Sequence, residues 1–313
     1  MNKIAHFIIH SKAAAYIAAL LYIVVWCSRS VQVGGIGFSD CLGLLLSLVM
    51  GYLSVRVARE FSLNDIKNVL PATLFFMGCA IAPQMGPVHG DGIHLALFAV
   101  VCYILLRTYR SHNAMGSYFC AFALIGIQCL MEPSLLLTLP WLVLCGVFME
   151  SLHVRTFFAA LWGLLFPYWI VGGMLFLTDR VEVIAPYFDQ ILPLANGELA
   201  LPVALQLWMQ QLWVLLLILP GSVMILFNRS MKLQASAGLR LLMLSLVVLL
   251  VTVWISPVSY SALYPCVLLC SSLVGTAFFT MHANHVKNIY LVVLLILWIL
   301  SLALYVWSNC IMY

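Results

Sequence analysis

The residues best suited to chemistry lie in and beside one turn between apolar stretches, PQMGPVHGDGIH. His89, Asp91 and His94 follow one another closely there, with Gly90 and Gly92 between them. Imidazole and carboxylate groups at such spacing could hold a divalent cation. The same groups could serve as acid and base on a lipid-linked substrate.

Two further carboxylates are expected at the same side of the molecule. Asp40 starts the second apolar stretch and Glu132 separates the fifth from the sixth. The candidate catalytic residues are therefore Asp40, Asp91 and Glu132, and the candidate metal ligands are His89, Asp91 and His94. Alternatively, these groups are headgroup-level residues, with Asp40 and Asp91 capping helix N-termini. No ligand motif such as HExxH decides between the two interpretations.

The amino-acid composition indicates whether the apolar stretches that carry these residues are surrounded by water or by lipid. Hydrophobic residues make up 65% of the 313 residues and charged residues 8%, and the mean hydropathy is +1.12. Soluble domains have about 45–50% apolar and about 25% charged residues. Lipid must therefore be the solvent, and the expected partner is the bilayer. We expect an all-α, polytopic bundle of transmembrane helices that forms one domain, 1–313.

Apolar stretches long enough to cross a bilayer recur along the whole chain. A transmembrane helix needs about 20 apolar residues, within a range of roughly 17–25. On this criterion we predict about 11 spans, within a range of roughly 10–12. They are 12–28, 40–57, 65–82, 91–107, 114–130, 133–149, 156–178, 203–227, 239–256, 259–281 and 288–311. Pro133 predicts a sharp break after Glu132, because proline starts helices but does not continue them.

The placement of basic residues predicts the orientation of the spans. Cytoplasmic loops are enriched in Lys and Arg. With the N-terminus inside, Arg29 and Arg180 alone of the 14 basic residues fall outside. The inner ones are Lys3, Lys12, Arg56, Arg59, Lys67, Arg107, Arg110, Arg155, Arg229, Lys232, Arg240 and Lys287. The chain is therefore predicted to be a multi-pass protein of a bacterial inner membrane, with its C-terminus outside.

The longest predicted outer loop, near 179–202, has an amphipathic pattern. Val181, Ile184, Phe188 and Ile191 recur at helical spacing, with acidic residues among them. Such a segment could lie in the plane of the membrane interface. It would be either a lid over an outward-facing cavity or a passive connector.

Other polar and special residues receive structural interpretations. Gln206, Gln210 and Gln211 are expected to bond neighbouring helices, while Pro140, Pro167, Pro220 and Pro265 are expected to kink theirs. Cys27 and Cys41 could form a disulfide on the outer side, a pairing that spacing alone does not decide. The chain contains neither a GxxxxGK[ST] nor a GxGxxG motif, and no nucleic-acid partner is expected.

Several strings resemble a known protein family. They are HSKAAAYIAALLYI, SLNDIKNVLPATLFF, YILLRTYR, EPSLLLTLPWLVL and VRTFFAALWGLLFPYWIVGGMLFLTD. Over roughly the first 180 residues the chain is similar to a family of multi-pass inner-membrane proteins of Bacteroidetes. The resemblance implies topology and compartment. Because that family has no established activity, the resemblance transfers no site residues.

Two functions from different classes fit the sequence. The first is an envelope-biogenesis protein acting at the outer face on a lipid-linked, polyprenyl-type glycoconjugate, supported by the outer carboxylates and the long outer loop. The second is a non-enzymatic transporter or a structural subunit of an envelope complex with other membrane proteins, supported by the lack of an established catalytic motif.

Overall fold

The described part of the chain is entirely helical. The computed structural model describes residues 8, 11–32, 37–61, 63, 69–81, 91–111, 113–180, 182, 187, 201–227, 232–255, 260–280 and 285–311. Within these ranges lie eleven α-helices, one 3-10 helix and no strand. The α-helices are α1 Lys12–Gln32, α2 Phe38–Glu60, α3 Leu70–Ile81, α4 Asp91–Leu106, α5 Met115–Met131, α6 Leu139–Phe148, α7 Val154–Leu177, α8 Leu201–Phe227, α9 Leu233–Ile255, α10 Tyr260–Thr280 and α11 His285–Ile311. The all-α prediction is confirmed.

Four helical segments in the described residues are long and apolar enough to cross a membrane. They are Asp40–Glu60, Val154–Leu177, Leu233–Ile255 and Tyr260–Phe279. Shorter apolar segments lie in α1, α3, α4, α5, α8 and α11. The outward face of α7 is lined with exposed aromatic side chains, including Trp162, Trp169 and Phe176. Soluble monomers rarely expose apolar surface on this scale, so the fold is that of a membrane protein.

Helix α3 occupies the centre of the bundle. All of its residues are buried, and it packs against α1, α2, α8, α10 and α11. A methyl group added at Gly51 of α2 would lie 2.3 Å from the ring of Phe76 in α3, so the ring occupies its present place against α2 because position 51 is glycine. The indole of Trp298 in α11 donates a hydrogen bond to the carbonyl oxygen of Met77 at 3.1 Å.

Gln210 joins three helices through its side chain and backbone. The side chain is fully buried in α8. Its amide nitrogen donates to the carbonyl oxygen of Ile81 at the end of α3, at 3.4 Å. Its amide oxygen accepts a hydrogen bond from the Tyr260 hydroxyl, and its backbone oxygen accepts one from the Tyr264 hydroxyl at 3.1 Å. The expected interhelical role is therefore confirmed for Gln210.

Helices α5 and α7 pack through two glycines. A methyl group at Gly163 would lie 2.4 Å from the carbonyl oxygen of Phe119, and one at Gly126 would lie 2.6 Å from the carbonyl oxygen of Leu164. Small residues allow transmembrane helices to approach closely enough for extensive van der Waals contact. The described contacts of α7 are mainly with α5, so α7 lies at the periphery.

Three local expectations differ from the structure. The predicted span 133–149 is a 3-10 helix, Pro133–Thr138, followed by the separate helix α6. Pro140 lies in the first turn of α6, where its missing N–H is not needed, so the expected kink there is wrong. Cys27 and Cys41 are free thiols rather than a disulfide. The predicted break after Glu132 is confirmed, since α5 ends at Met131 and Glu132 has an extended backbone.

Contacts at one end of the bundle join residues from different predicted inner segments. The Arg110 guanidinium forms an ion pair with the Glu150 carboxylate at 2.7 Å, and this partner raises the pKa of Arg110. The Tyr103 hydroxyl donates to the Glu60 carboxylate at 3.0 Å. Residues of different predicted cytoplasmic segments therefore lie at the same end of the helix bundle. The orientation of the bundle in a membrane stays a prediction.

Candidate functional site

The candidate site lies at the opposite end of α4 and α5. We name it the outer polar cluster and define it as His94, Gln128, Glu132, Ser134, Tyr168 and Tyr187. His94 lies in the first turns of α4 and is 5% exposed. The side-chain amide of Gln128 in α5 donates to the backbone oxygen of His94 at 2.7 Å. This buried bond fixes the two helices beside each other at the level of the imidazole.

Glu132 is positioned by the end of α5. Its backbone N–H donates to the carbonyl oxygen of Gln128 at 2.8 Å, and its extended backbone then turns the chain into the 3-10 helix. The Ser134 hydroxyl donates to the carboxylate at 3.2 Å. The carboxylate is half-buried and acts electrostatically on His94. Two of the predicted site residues, His94 and Glu132, are therefore brought together.

Two tyrosines close the other side of the cluster. The Tyr187 hydroxyl donates to the carbonyl oxygen of Cys129 in α5 at 2.6 Å. Tyr168 of α7 and Tyr187 share a hydrogen bond of 2.9 Å. Because Tyr187 gives its single proton to Cys129, Tyr168 must be the donor between the two hydroxyls. The chain of bonds ties the predicted outer loop to α5 and α7.

The Tyr187 phenol remains protonated in this setting. Burial raises the pKa of Tyr187 above its usual value, and the nearby Glu132 carboxylate adds to the shift. The single proton of this neutral phenol is donated to the Cys129 carbonyl oxygen, and its oxygen accepts the hydrogen bond from Tyr168. Tyr187 is therefore suited to holding its segment against α5 and α7 rather than to acting as a base.

Within the described residues, one ring nitrogen of the His94 imidazole is available to a ligand. Among the described residues, its Nδ1 is buried and has no hydrogen-bond partner. A buried polar atom without a partner costs about 1–3 kcal/mol, and such atoms in folded proteins need an explanation. A bound ligand group would remove that cost. With the Glu132 carboxylate nearby, the pair has the components of an acid–base site.

The other predicted site residues are placed differently. The Asp40 carboxylate accepts a hydrogen bond from the backbone N–H of Gly37 at 2.9 Å, which caps the first turn of α2. Asp91 begins α4, but its side chain lies outside the described part, as does all of His89. The helix starts touch each other, since a methyl group at Gly92 would lie 2.8 Å from the Cα of Gly43.

The described residues do not by themselves form a metal site. No group of three or more His, Cys, Asp or Glu side chains converges within them. The side chains of the candidate ligands His89 and Asp91 lie outside the described part of the chain. A divalent cation held by His89, Asp91 and His94 therefore stays a prediction.

Four cluster residues, Gln128, Ser134, Tyr168 and Tyr187, were not identified as site residues from the sequence. Gln128 is a polar residue inside an apolar stretch, and this signal could have pointed to an interhelical bond. Tyr168 is an aromatic residue within an apolar stretch, a position that does not by itself indicate a site. Tyr187 lies in the predicted outer loop, and nothing in the local sequence indicates its contact with Cys129, 58 residues earlier.

Comparison with known proteins adds no assignment to this geometry. No protein-family model, curated protein or solved structure matches the chain. The resemblance to multi-pass proteins of Bacteroidetes accordingly stays a prediction, and the chemistry of the outer polar cluster is argued from its own residues.

Proposed function

We propose that the chain is a bacterial inner-membrane protein of envelope biogenesis that acts at the outer face on a lipid-linked, polyprenyl-type glycoconjugate. The observation that carries the proposal is the pairing of His94 and Glu132 at one end of a bundle of apolar helices. A histidine and a carboxylate can exchange protons with a substrate hydroxyl or phosphate. Glu132 is half-buried and therefore partly accessible to a ligand, whereas His94 is buried.

The position of the pair favours a substrate with a lipid anchor. His94 and Glu132 lie within or beside apolar helices that end near the membrane surface in the proposed topology. A lipid-linked sugar presents its phosphate and first sugar at that depth while its chain remains among the hydrocarbon tails. A freely soluble substrate would gain nothing from a site bordered by lipid.

The proposed topology has about 11 spans, with the N-terminus inside and the C-terminus outside. It is supported by contacts that place Arg110 with Glu150, and Tyr103 with Glu60, at one end. The outer polar cluster lies at the other ends of α4 and α5. In this arrangement the arginine-rich end faces the cytoplasm and the cluster faces outward.

A direct test uses purified protein in phosphatidylcholine nanodiscs with undecaprenyl-diphosphate-linked N-acetylglucosamine as the probe. Binding is measured by native mass spectrometry, and turnover by chromatography of the extracted lipid. General acid–base groups contribute roughly 10²–10⁴-fold to rate, so Glu132→Gln and His94→Gln should lower turnover by about 100-fold or more. Protein recovery should remain close to wild type for Glu132→Gln, whose side chain is half-buried.

Glu182→Gln is the matched control, because Glu182 is exposed and lies in the same predicted outer segment as Tyr187. It should leave binding and turnover unchanged. Equal turnover by all variants would contradict the catalytic role of the pair. Folded wild-type protein that neither binds nor converts the probe would favour the alternative, a non-enzymatic transporter or structural subunit.

A further inference from the structure

A second site lies at the arginine-rich end of the bundle, away from the outer polar cluster. It is a cavity of about 340 Å³ between α2, α4, α9 and α10. Ligand pockets commonly measure about 300–1,000 Å³. Its floor consists of the buried leucines Leu242, Leu269 and Leu273. The cavity is therefore large enough for part of a ligand and apolar at its base.

The polar groups that line this cavity either lie at its entrance or already form hydrogen bonds within the protein. Ser54 is buried, but its hydroxyl donates to the backbone oxygen of Gly51 at 2.7 Å. The Tyr103 hydroxyl donates to Glu60 at the rim. Arg56 and Glu60 also line the cavity and are exposed. The interior consequently offers an apolar chain no competing hydrogen-bond groups.

The depth of the cavity corresponds to one leaflet of a bilayer. On α2 its lining extends from Glu60 at the rim to Met50 inside. At 1.5 Å per residue this length is about 15 Å, half of the roughly 30 Å hydrocarbon core. Val100 of α4 also lines the cavity and is 42% exposed, so the cavity reaches the lateral surface of the bundle. A chain could enter from the adjacent lipid.

The charge at the entrance is positive on balance. Arg56 lines the rim, and the Arg107 guanidinium lies 5.8 Å from the centre of the Tyr103 ring. In the described part of the chain, neither arginine forms an ion pair. The Glu60 carboxylate already accepts the Tyr103 hydrogen bond. Two available guanidinium groups at headgroup level are suited to a phosphate, which arginine binds well.

We propose that this cavity binds one anionic glycerophospholipid of the adjacent leaflet, with an acyl chain against the leucine floor and its phosphate at Arg56 and Arg107. The site is separate from the outer polar cluster and does not require the proposed enzymatic function. A phosphatidylglycerol molecule has both features, a flexible apolar chain and a net negative headgroup.

The test is native mass spectrometry of the full chain in non-ionic detergent, mixed with equal amounts of phosphatidylglycerol, phosphatidylethanolamine and phosphatidylcholine. Wild type should retain one phosphatidylglycerol in preference to the other lipids. Arg56→Gln should weaken this retention by about tenfold, the effect of losing one charge-assisted hydrogen bond. Ala99→Phe, which fills the cavity from α4, should weaken it to a similar extent.

Two matched controls separate the site from general lipid contact. Arg59→Gln removes an exposed arginine from the same end of α2 that does not line the cavity. Ile93→Phe enlarges an exposed residue of α4 elsewhere. Both should retain the lipid as wild type does. Equal retention of the three lipids, or equal loss in Arg56→Gln and Arg59→Gln, would overturn the proposal.

A competition with undecaprenyl phosphate distinguishes the phospholipid from a polyprenyl lipid. Phosphatidylglycerol should remain bound at equal concentrations of the two. If undecaprenyl phosphate displaces phosphatidylglycerol from wild type but not from the Ala99→Phe variant, the assignment to a phospholipid is overturned. Size-exclusion profiles identical to wild type are required of each variant, so that a lost lipid is not confused with lost folding.

Discussion

At the scale of single residues, the two glycines between α5 and α7, Gly126 and Gly163, are positions where a larger side chain would collide with the backbone of the facing helix. Gly163→Ala would place a methyl group 2.4 Å from the carbonyl oxygen of Phe119, a backbone atom that cannot move away easily. Overpacking of this kind costs about 1–3 kcal/mol. We therefore expect a lower midpoint of thermal unfolding in detergent, measured by intrinsic fluorescence.

Gly172→Ala on the same helix is the control for this prediction. A methyl group at Gly172 would meet no atom within 4 Å. Its unfolding midpoint should stay near that of wild type, because substitutions away from packed features change stability by less than about 0.5 kcal/mol. Similar losses in both variants would show that helix propensity, rather than the contact with α5, sets the effect.

Gln210 supports a second residue-scale prediction. Gln210→Leu would leave the Tyr260 hydroxyl and the Ile81 carbonyl without their partner. Interhelical hydrogen bonds in membrane proteins contribute about 0.6 kcal/mol on average and up to about 1.7 kcal/mol. A decrease in stability within that range is expected from chemical unfolding in detergent. Gln211→Leu, at a half-buried neighbouring position, should cost less.

The sequence predicted the polar cluster residues that end apolar stretches, but it did not predict the partners that only helix packing brings to them. Glu132 and His94 are polar residues at the ends of apolar stretches, which is visible in the sequence. The partners Tyr168 and Tyr187 depend on how α7 packs against α5. That packing is set by Gly126 and Gly163, whose contacts are with backbone atoms rather than with a recognisable side-chain motif.

At the scale of elements, the Tyr168–Tyr187 pair couples α7 to the segment that follows it. Tyr168→Phe removes the proton that this residue donates to Tyr187, and Tyr187→Phe removes the bonds to both Tyr168 and Cys129. Contacting residues show interaction energies of about 0.5–3 kcal/mol. The double variant should therefore be more stable than the sum of the single losses implies.

A double-mutant cycle of thermal stability in detergent measures this coupling. The pair Tyr52 and Tyr168 provides the reference, because Tyr52 is exposed on α2 and shares no described contact with Tyr168. Additive losses for Tyr168→Phe and Tyr187→Phe would contradict the coupling. The predicted helix formed by Val181, Ile184, Phe188 and Ile191, and its role as lid or connector, lie outside the described residues and stay predictions.

Hydropathy predicted where the helices lie along the chain, but it did not predict how long each helix is. Each predicted span overlaps a described helix, but α3 has 12 residues and α6 has 10. These correspond to about 18 Å and 15 Å, less than the roughly 30 Å core. Pro71, Pro133 and Pro140 favour helix starts at or just before their positions. An apolar run alone does not reveal that it begins with a 3-10 helix, as the run from Pro133 does.

At the scale of the whole molecule, the alternation of basic segments predicts the result of reporter fusions. Reporters fused after Arg110 and Arg240 should remain cytoplasmic, while one fused after Ala195 should be exported, since Lys and Arg mark inner loops. Activities of an alkaline phosphatase and a fluorescent protein fused at each site measure the compartment. The same compartment for the Ala195 and Arg240 fusions would eliminate α8 as a span.

The central position of α3 also has a consequence for biosynthesis. The ribosome delivers α3 to the membrane long before α8, α10 and α11, the later helices that cover it. Until α11 arrives, the Met77 carbonyl lacks its bond from Trp298, 221 residues further along the chain. Synthesis of α11 is therefore required before the centre of the bundle is enclosed. A nascent chain stalled after α7 would have α3 covered by α1 and α2 but not by α8, α10 and α11, so we expect membrane proteases to degrade it faster than the full chain.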